Sequence, residues 1–384
     1  MRVVTVRALS LIACGILLSY EFWKAVYLKK TIVFHEEQVE GRESENFDEY
    51  SLVDGEPFLN FFDSVDSDHP RRKGESDFQE YLLTSNIQDI ENSATQRKRK
   101  RTVTQDCHKR KIKEIFPLSA DSSSGINSYA FRNILLVIKV SDKHQLLYCV
   151  TPKVACTNWK RVLLVLDGYF NKPDEINSSL AHNFSTGYFR KLSDYSPEEI
   201  SLRLTTYYKF LFVRHPYERL VSTFRNKFVE TKYKTFKLIY GKYIMRKYRE
   251  VKNITNDIRY IEGEGLKFEE FIKFIIDSPL EDADFWNEHW ERIDRLCLPC
   301  LVQYDFVGKF ESLKQDADYL LRTLDVADKV TFPEKPDVHS NENSNKLMKQ
   351  FFKSISKDIT DKLYELFKHD FLMFNYKKPQ FDIN

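Results

Sequence analysis

The chain has 384 residues, with 42% hydrophobic and 14% aromatic side chains, enough for one large core with appendages; a wholly disordered chain is excluded. Its formal net charge is only +2, but residues 35–96 carry 17 Asp and Glu against 4 Lys and Arg, whereas residues 97–384 carry 39 against 50. A basic remainder suits an anionic small ligand or polymer, its plain alternative being a solvated basic face, and it is too dispersed to argue for nucleic acid.

Arg2 and Arg7 precede an uncharged run, Ala8 to Tyr20, which continues through Phe22, Trp23, Val26 and Leu28. A spanning helix needs about 20 residues, a length reached if Glu21 and Lys24 snorkel. A cleaved signal peptide is the rival, but no small-x-small site follows. Residues 1–28 are expected to be a cytosolic tip and signal-anchor helix; Lys24, Lys29 and Lys30 blunt the charge bias that sets its orientation. Residues 29–106 read as an acidic, disordered stem. It contains Arg97-Lys98-Arg99-Lys100-Arg101, a solvated basic patch at the domain edge or, alternatively, a convertase cleavage site. The remainder, 107–384, is the expected folded domain, lumenal if the anchor has its N-terminus in the cytosol.

In that domain Asn133–Val140 reads as a strand, Asp142-Lys143-His144 as a turn and Gln145–Val150 as a second strand. Helices are expected over Trp159–Leu166, from Pro197 after a Ser196 cap, over Pro216–Phe228, Phe268–Ile276, Phe285–Leu296, Leu313–Leu324 and Ile359–Phe367. Lys209–Arg214 and Tyr304–Phe310 read as further strands. Alternating strands and helices predict an α/β fold with a mostly parallel central sheet flanked by helices.

Two segments about sixty residues apart carry the chemistry. One is Pro152-Lys153-Val154-Ala155-Cys156-Thr157-Asn158-Trp159-Lys160 and the other is Val213-Arg214-His215-Pro216-Tyr217-Glu218-Arg219-Leu220-Val221-Ser222. Each follows a buried strand and opens a helix, placing a cation and a hydroxyl where a helix N-terminus can hold a phosphate-like anion. Two such cradles on one sheet suggest a nucleotide with phosphates at both ends. The first lacks the Gly-x-x-x-x-Gly-Lys spacing of triphosphatases, which disfavours a phosphotransferase.

The pairing resembles the cofactor motifs of sulfotransferases that use 3′-phosphoadenosine-5′-phosphosulfate (PAPS). The wording is closest to the Golgi carbohydrate sulfotransferases, in the branch of the chondroitin and N-acetylgalactosamine 4-O-sulfotransferases and the glucuronyl 3-O-sulfotransferase. Asn287-Glu288-His289-Trp290, Cys297-Leu298-Pro299-Cys300, Tyr304 to Lys309 and Asp370 to Tyr376 extend the similarity. The resemblance implies a P-loop-like sulfotransferase fold, a type II Golgi membrane enzyme and PAPS as co-substrate with no metal. It also implies a 5′-phosphosulfate loop at residues 152–159 and a 3′-phosphate site at Arg214 and Ser222.

Sulfuryl transfer needs a cation at the bridging oxygen, donors for the sulfuryl oxygens and a base for the incoming hydroxyl. Lys153 suits the first role. Thr157 and the backbone N–H groups of Ala155, Cys156, Thr157, Asn158 and Trp159 suit the 5′-phosphate, and Pro152 and Val154 are counted with this cofactor-binding loop. Trp159 either stacks on adenine or packs beneath the loop. Arg219 either assists the cofactor site or makes a surface salt bridge. His182 is the preferred base, His289 its rival, and Glu288 a third candidate. Cys156 reads as a small buried side chain and Cys297 and Cys300 as structural disulfide cysteines, paired locally or with other cysteines; the odd cysteine set, once Cys14 is assigned to the anchor, leaves at least one thiol free or paired between chains. Asn177, Asn183 and Asn253 begin glycosylation triplets if the chain is lumenal. The expected acceptor is the 4-hydroxyl of N-acetylgalactosamine in chondroitin or dermatan or on N-glycans. Alternatives are the 3-hydroxyl of glucuronate and a non-catalytic PAPS- or glycan-binding protein. Oligomeric state and acceptor identity stay open at this level.

Overall fold

The computed structural model describes residues 73–111, 129–182, 187–231, 234–249, 258–278, 287–333 and 341–381. The expected anchor, the stem up to residue 72, Asn183 and Asn253 lie outside the described residues. Among the described residues no helix is long and apolar enough to cross a membrane.

The first described element is a 37-residue helix, α1 (Lys73–Lys109), which corrects the disordered reading of residues 73–106. Its C-terminal half docks through polar contacts that a search for apolar periodicity cannot see. Arg99 Nη1 donates to Asp316 Oδ2 at 2.7 Å and to the Val307 carbonyl at 2.9 Å. Gln96 Oε1 accepts from Val307 N–H at 3.1 Å, and Arg322 pairs with Asp89 at 2.7 Å. A disulfide from Cys107 to Cys300 fastens the end of α1.

Helix α2 (Tyr129–Val137) leads into β1 (Ile138–Ser141), where a single strand was expected from Asn133. Ile134 and Val137 face the core and Leu136 is exposed, a helical spacing hidden in a short apolar run. A turn joins β1 to β2 (Leu146–Cys149). Then come α3 (Cys156–Leu166), α4 (Ser178–Ala181), β3 (Arg190–Lys191), α5 (Pro197–Thr206) and β4 (Tyr208–Val213). The Ser196 hydroxyl accepts from Glu199 N–H while the Glu199 carboxylate accepts from Ser196 N–H, which starts α5 as expected. Helix α6 (Pro216–Phe224) passes into a π-helical turn at Arg225–Val229. A second π turn at Lys237–Gly241 opens α7 (Lys242–Tyr248), followed by α8 (Ile258–Ile261) and α9 (Phe268–Asp277). The helix expected over Phe285–Leu296 shrinks to α10 (Ile293–Leu296), because residues 287–292 turn back on themselves. The remaining elements are α11 (Pro299–Val302), β5 (Phe306–Lys309), α12 (Leu313–Thr323), α13 (Asn341–Phe352) and α14 (Lys357–Met373).

The sheet order is β3-β1-β2-β4-β5. Strands β2, β4 and β5 pair in parallel, whereas β1 runs antiparallel to both β2 and β3, so the sheet is mixed and only β1 opposes the common direction. Side chains alternate between its faces. Leu147, Cys149, Leu211, Val213 and Val307 pack with α2 and α5 on one side. Leu146, Tyr148, Phe210, Phe212 and Phe306 pack with α3 and α12 on the other. A third cluster joins α6, α9, α13 and α14. Gly308 is required where β5 crosses the Phe212 ring, since a Cβ there would meet Phe212 Cε1 at 2.2 Å. The second disulfide, Cys149–Cys297, sits just before the first loop, leaving Cys156 as a free, buried thiol.

Candidate active site

Parallel pairing of β2 with β4 brings both motif loops out side by side at the carboxyl ends of neighbouring strands, where open α/β sheets bind ligands. The first loop is strained: Lys153 and Ala155 hold φ of 71° and 56°, left-handed values unusual for residues with a Cβ. Ala155 caps α3 in that conformation with no side-chain cap. Left-handed residues on either side of Val154 give the alternation of hand typical of an anion nest, here at the start of an 11-residue helix, but the N–H groups of Asn158 and Trp159, expected to face the phosphate, donate to the Ala155 carbonyl instead. Within the loop Lys153, Ala155 and Thr157 are half-buried, while Pro152, Val154, Cys156, Asn158 and Trp159 are buried. Trp159 lies against Tyr148, Phe210, Phe212 and Phe332, which corrects the adenine-stacking reading: its indole is core beneath the loop. Asn158 ties the loop to the Pro333 carbonyl.

Arg214 is 7% exposed. Its Nη1 donates to the Lys153 carbonyl at 3.2 Å, its Nη2 donates to Ser344 Oγ on α13 at 2.9 Å, and its guanidinium stacks 4.1 Å from the Phe310 ring. Nε lies 3.6 Å from Glu218 Oε2 and makes no hydrogen bond among the described residues. Burial lowers the Arg214 pKa and raises that of Glu218. Ser222 is half-buried on α6, which packs against α13. No hydrogen bond joins Ser222 to Arg214.

Arg219 is buried, which corrects its reading as a surface salt bridge. It is 1% exposed and bonds three main-chain carbonyls: Pro152 at 3.1 Å through Nε, Glu291 at 2.6 Å through Nη1 and Glu288 at 2.7 Å through Nη2. It therefore fastens the Lys153 loop to the turn that carries His289, and Thr223 adds a bond to the His289 carbonyl at 2.8 Å.

Both candidate bases face this region. His182 is an exposed residue whose ring bridges Thr157, with Oγ1 2.9 Å from Nε2, and Lys160, with Nζ 3.2 Å from Nδ1. Partial desolvation, with the charges of Lys160, Lys227, Lys153 and Arg161, brings its pKa down to about 4. His289 is pushed well below its ordinary value, by burial first and then by Lys227, Lys153, Arg219 and His182. Both rings are neutral at neutral pH. Sequence reasoning missed Lys160 and Lys227. Lys160 is 2% exposed on α3, and Lys227 stands in the π turn with Nζ 4.5 Å from the centre of the Phe236 ring. The extra residue of a π turn rotates side chains away from their α-helical positions, so helical spacing cannot reveal where Lys227 points.

A strained loop at a helix start, a buried arginine beside it and histidines among cations make a site suited to an anionic ligand. The family model described as "Sulfotransferase family" matches residues 137–377, and the chain belongs to that family. It is 42% identical over 251 residues to carbohydrate sulfotransferase 11 of Rattus norvegicus, covering 65% of this chain and 69% of that protein. It is 36% identical over 319 residues to carbohydrate sulfotransferase 14 of Danio rerio (82% and 81%) and 36% identical over 291 residues to carbohydrate sulfotransferase 8 of Mus musculus (75% and 65%). No solved structure matches the chain. The protein is thus a carbohydrate sulfotransferase, an enzyme that transfers sulfate, with PAPS as the donor used by its family.

Proposed function

We propose that the enzyme transfers the sulfuryl group of PAPS to the 4-hydroxyl of N-acetylgalactosamine in chondroitin or dermatan. Lys153 stabilises the leaving 5′-phosphate, the nest at 153–157 holds that phosphate, and Arg214 with Ser222 receives the 3′-phosphate. The observation that favours a polyanionic acceptor is the cationic lining beyond Lys153. Lys227, half-buried, shares the Phe236 ring with His289, whose ring centre is 5.3 Å from that of Phe236, whereas Lys160 is buried and turned to His182. Uronate carboxylates recur along chondroitin and suit these cations; a neutral N-glycan leaves them unused.

The test is transfer of labelled sulfate to desulfated chondroitin, dermatan, carboxyl-reduced chondroitin, an N-acetylgalactosamine-terminated N-glycan and a glucuronate-terminated glycan, with linkage mapping. Label at the 4-position of galactosamine, weaker on carboxyl-reduced chondroitin, supports the proposal. Label on glucuronate moves the enzyme to the 3-O reading. PAPS binding without turnover on any of these acceptors points to an acceptor outside the set and overturns the chondroitin or dermatan reading.

We further propose a type II Golgi membrane protein with a lumenal catalytic domain. Two disulfides in the described residues suit an oxidising compartment. Asn177 is exposed, and its Oδ1 accepts from Leu180 N–H at 2.8 Å, leaving Nδ2 to take a glycan. A glycosidase-sensitive mass shift lost in Asn177→Gln supports a lumenal site; protease sensitivity of the domain in intact Golgi vesicles contradicts that topology.

A further inference from the structure

We infer that His289 Nε2 is the atom that takes the acceptor proton, and that Asn287 is a positioning residue that makes this nitrogen basic by fixing the ring tautomer. The orientation of the Asn287 amide is set by its partners. Asn287 Nδ2 faces the Tyr240 hydroxyl at 3.3 Å, and Asn287 Oδ1 accepts the backbone N–H of His289 at 3.0 Å. The same Oδ1 is 2.8 Å from His289 Nδ1. A carbonyl oxygen only accepts, so Nδ1 carries the hydrogen and Nε2 keeps its lone pair. Among the described residues Nε2 has no hydrogen-bond partner.

His182 has the opposite arrangement. The Lys160 amine donates to Nδ1, so Nε2–H donates to the Thr157 hydroxyl, and neither ring nitrogen offers a lone pair to an acceptor. His182 thereby holds Thr157, a phosphate-loop residue, and its role falls on donor binding. The ring that has a free lone pair is also the one fastened to the donor loop. Arg219 bonds the carbonyls of Pro152 and Glu288, the residues before Lys153 and before His289.

In the step so assigned, the acceptor O–H proton passes to neutral His289 Nε2 as the acceptor oxygen bonds to sulfur. The bond from sulfur to the bridging oxygen breaks, its electron pair leaves with the 5′-phosphate, and Lys153 faces the charge that appears there. The inference holds for whichever glycan hydroxyl is the acceptor. The charged groups around the ring are Lys227, Lys153 and Arg219, with His182 and Glu288 nearby.

Ring-nitrogen NMR of the intact enzyme tests the tautomer without turnover: His289 should show a protonated Nδ1 and a bare Nε2, and the reverse pattern overturns the inference. Kinetics then separate the two histidines. His289→Ala should lose about 100-fold or more in kcat while binding 3′,5′-ADP as the wild type does. His182→Ala should weaken 3′,5′-ADP binding, with a smaller effect on kcat. Asn287→Asp keeps the acceptor and adds charge, so the acid limb of the pH–rate profile should move to higher pH. Asn287→Leu should lower kcat with KM little changed, and thermal melts of each variant report folding. Near-normal kcat in a folded His289→Ala, or abolished kcat with unchanged nucleotide affinity in His182→Ala, returns the role to His182.

Discussion

Arg219 Nε and the Pro152 carbonyl oxygen are 3.1 Å apart, so the helix of the second motif is fastened to the loop of the first. The same guanidinium holds the carbonyls of Glu288 and Glu291, and burial lowers its pKa only to about 10, so it stays charged. Arg219→Lys keeps the charge but lacks the planar fork that meets three carbonyls at once. Leaving buried carbonyls unsatisfied should cost roughly 2–4 kcal/mol. The expected result is a lower Tm together with reduced kcat on every acceptor. Wild-type kcat and Tm in Arg219→Lys contradict the positioning role.

Lys153 and Arg214 should separate by ligand. Lys153→Ala removes the cation for the leaving group and is expected to abolish measurable transfer, a loss above about 100-fold, while 3′,5′-ADP still binds. Arg214→Ala should lose both transfer and 3′,5′-ADP affinity, because its guanidinium also braces the Lys153 carbonyl and Ser344. Calorimetric titration with 3′,5′-ADP decides: equal affinities in the two variants contradict this division of labour.

The strand–loop–helix units around Lys153 and Arg214 were legible because each combines an apolar strand, a turn and a helix start within a dozen residues. Ser196 and Glu199 were legible as a cap for the same local reason. The role of Arg219 was not, since its partners are carbonyls of Pro152, Glu288 and Glu291, and every residue type has a carbonyl. The choice between His182 and His289 depends on which side of each ring is occupied, a fact held by Thr157, Lys160 and Asn287 and absent from spacing. Residues 73–106 looked disordered because low apolar density is the signal for disorder, yet the docked half of α1 is held by Gln96, Arg99 and a disulfide. Disulfide pairing itself required the fold: Cys297 and Cys300 are neighbours in sequence but bond to Cys149 and Cys107.

The basic run at 97–101 is therefore part of the folded unit, and Arg99 at its centre joins α1 to β5 and α12. A fragment of residues 102–384 loses the contacts of Gln96 and Arg99 and should be less stable than one of residues 73–384. Arg99→Ala isolates the largest of these contacts. The Arg99 and Asp316 side chains are 15% and 6% exposed, so the pair is shielded from screening, and its loss should cost about 1.5–3 kcal/mol. Urea denaturation of the two fragments and the variant measures this. Identical midpoints for the two fragments would mean that α1 contributes nothing before residue 102.

Lys139 should make stability depend on alkaline pH. It lies on β1, 3% exposed, and its pKa falls from 10.5 to about 7 through burial, then through Lys160 and Lys191, against the opposing charges of Asp194 and Glu288. Between pH 7 and 10.5 the unfolded chain binds a proton at this lysine that the folded chain has released. Stability from this group is thus complete above pH 10.5, declines as pH falls, and is lost below about pH 7. Lys139→Met keeps the bulk and removes the charge. The variant should be more stable than the wild type at pH 7, and its advantage should shrink at pH 9. Denaturation of both proteins at the two pH values gives the answer, because other titrating groups cancel in the difference. A gap of the same size at both pH values would show that Lys139 keeps its proton in the fold.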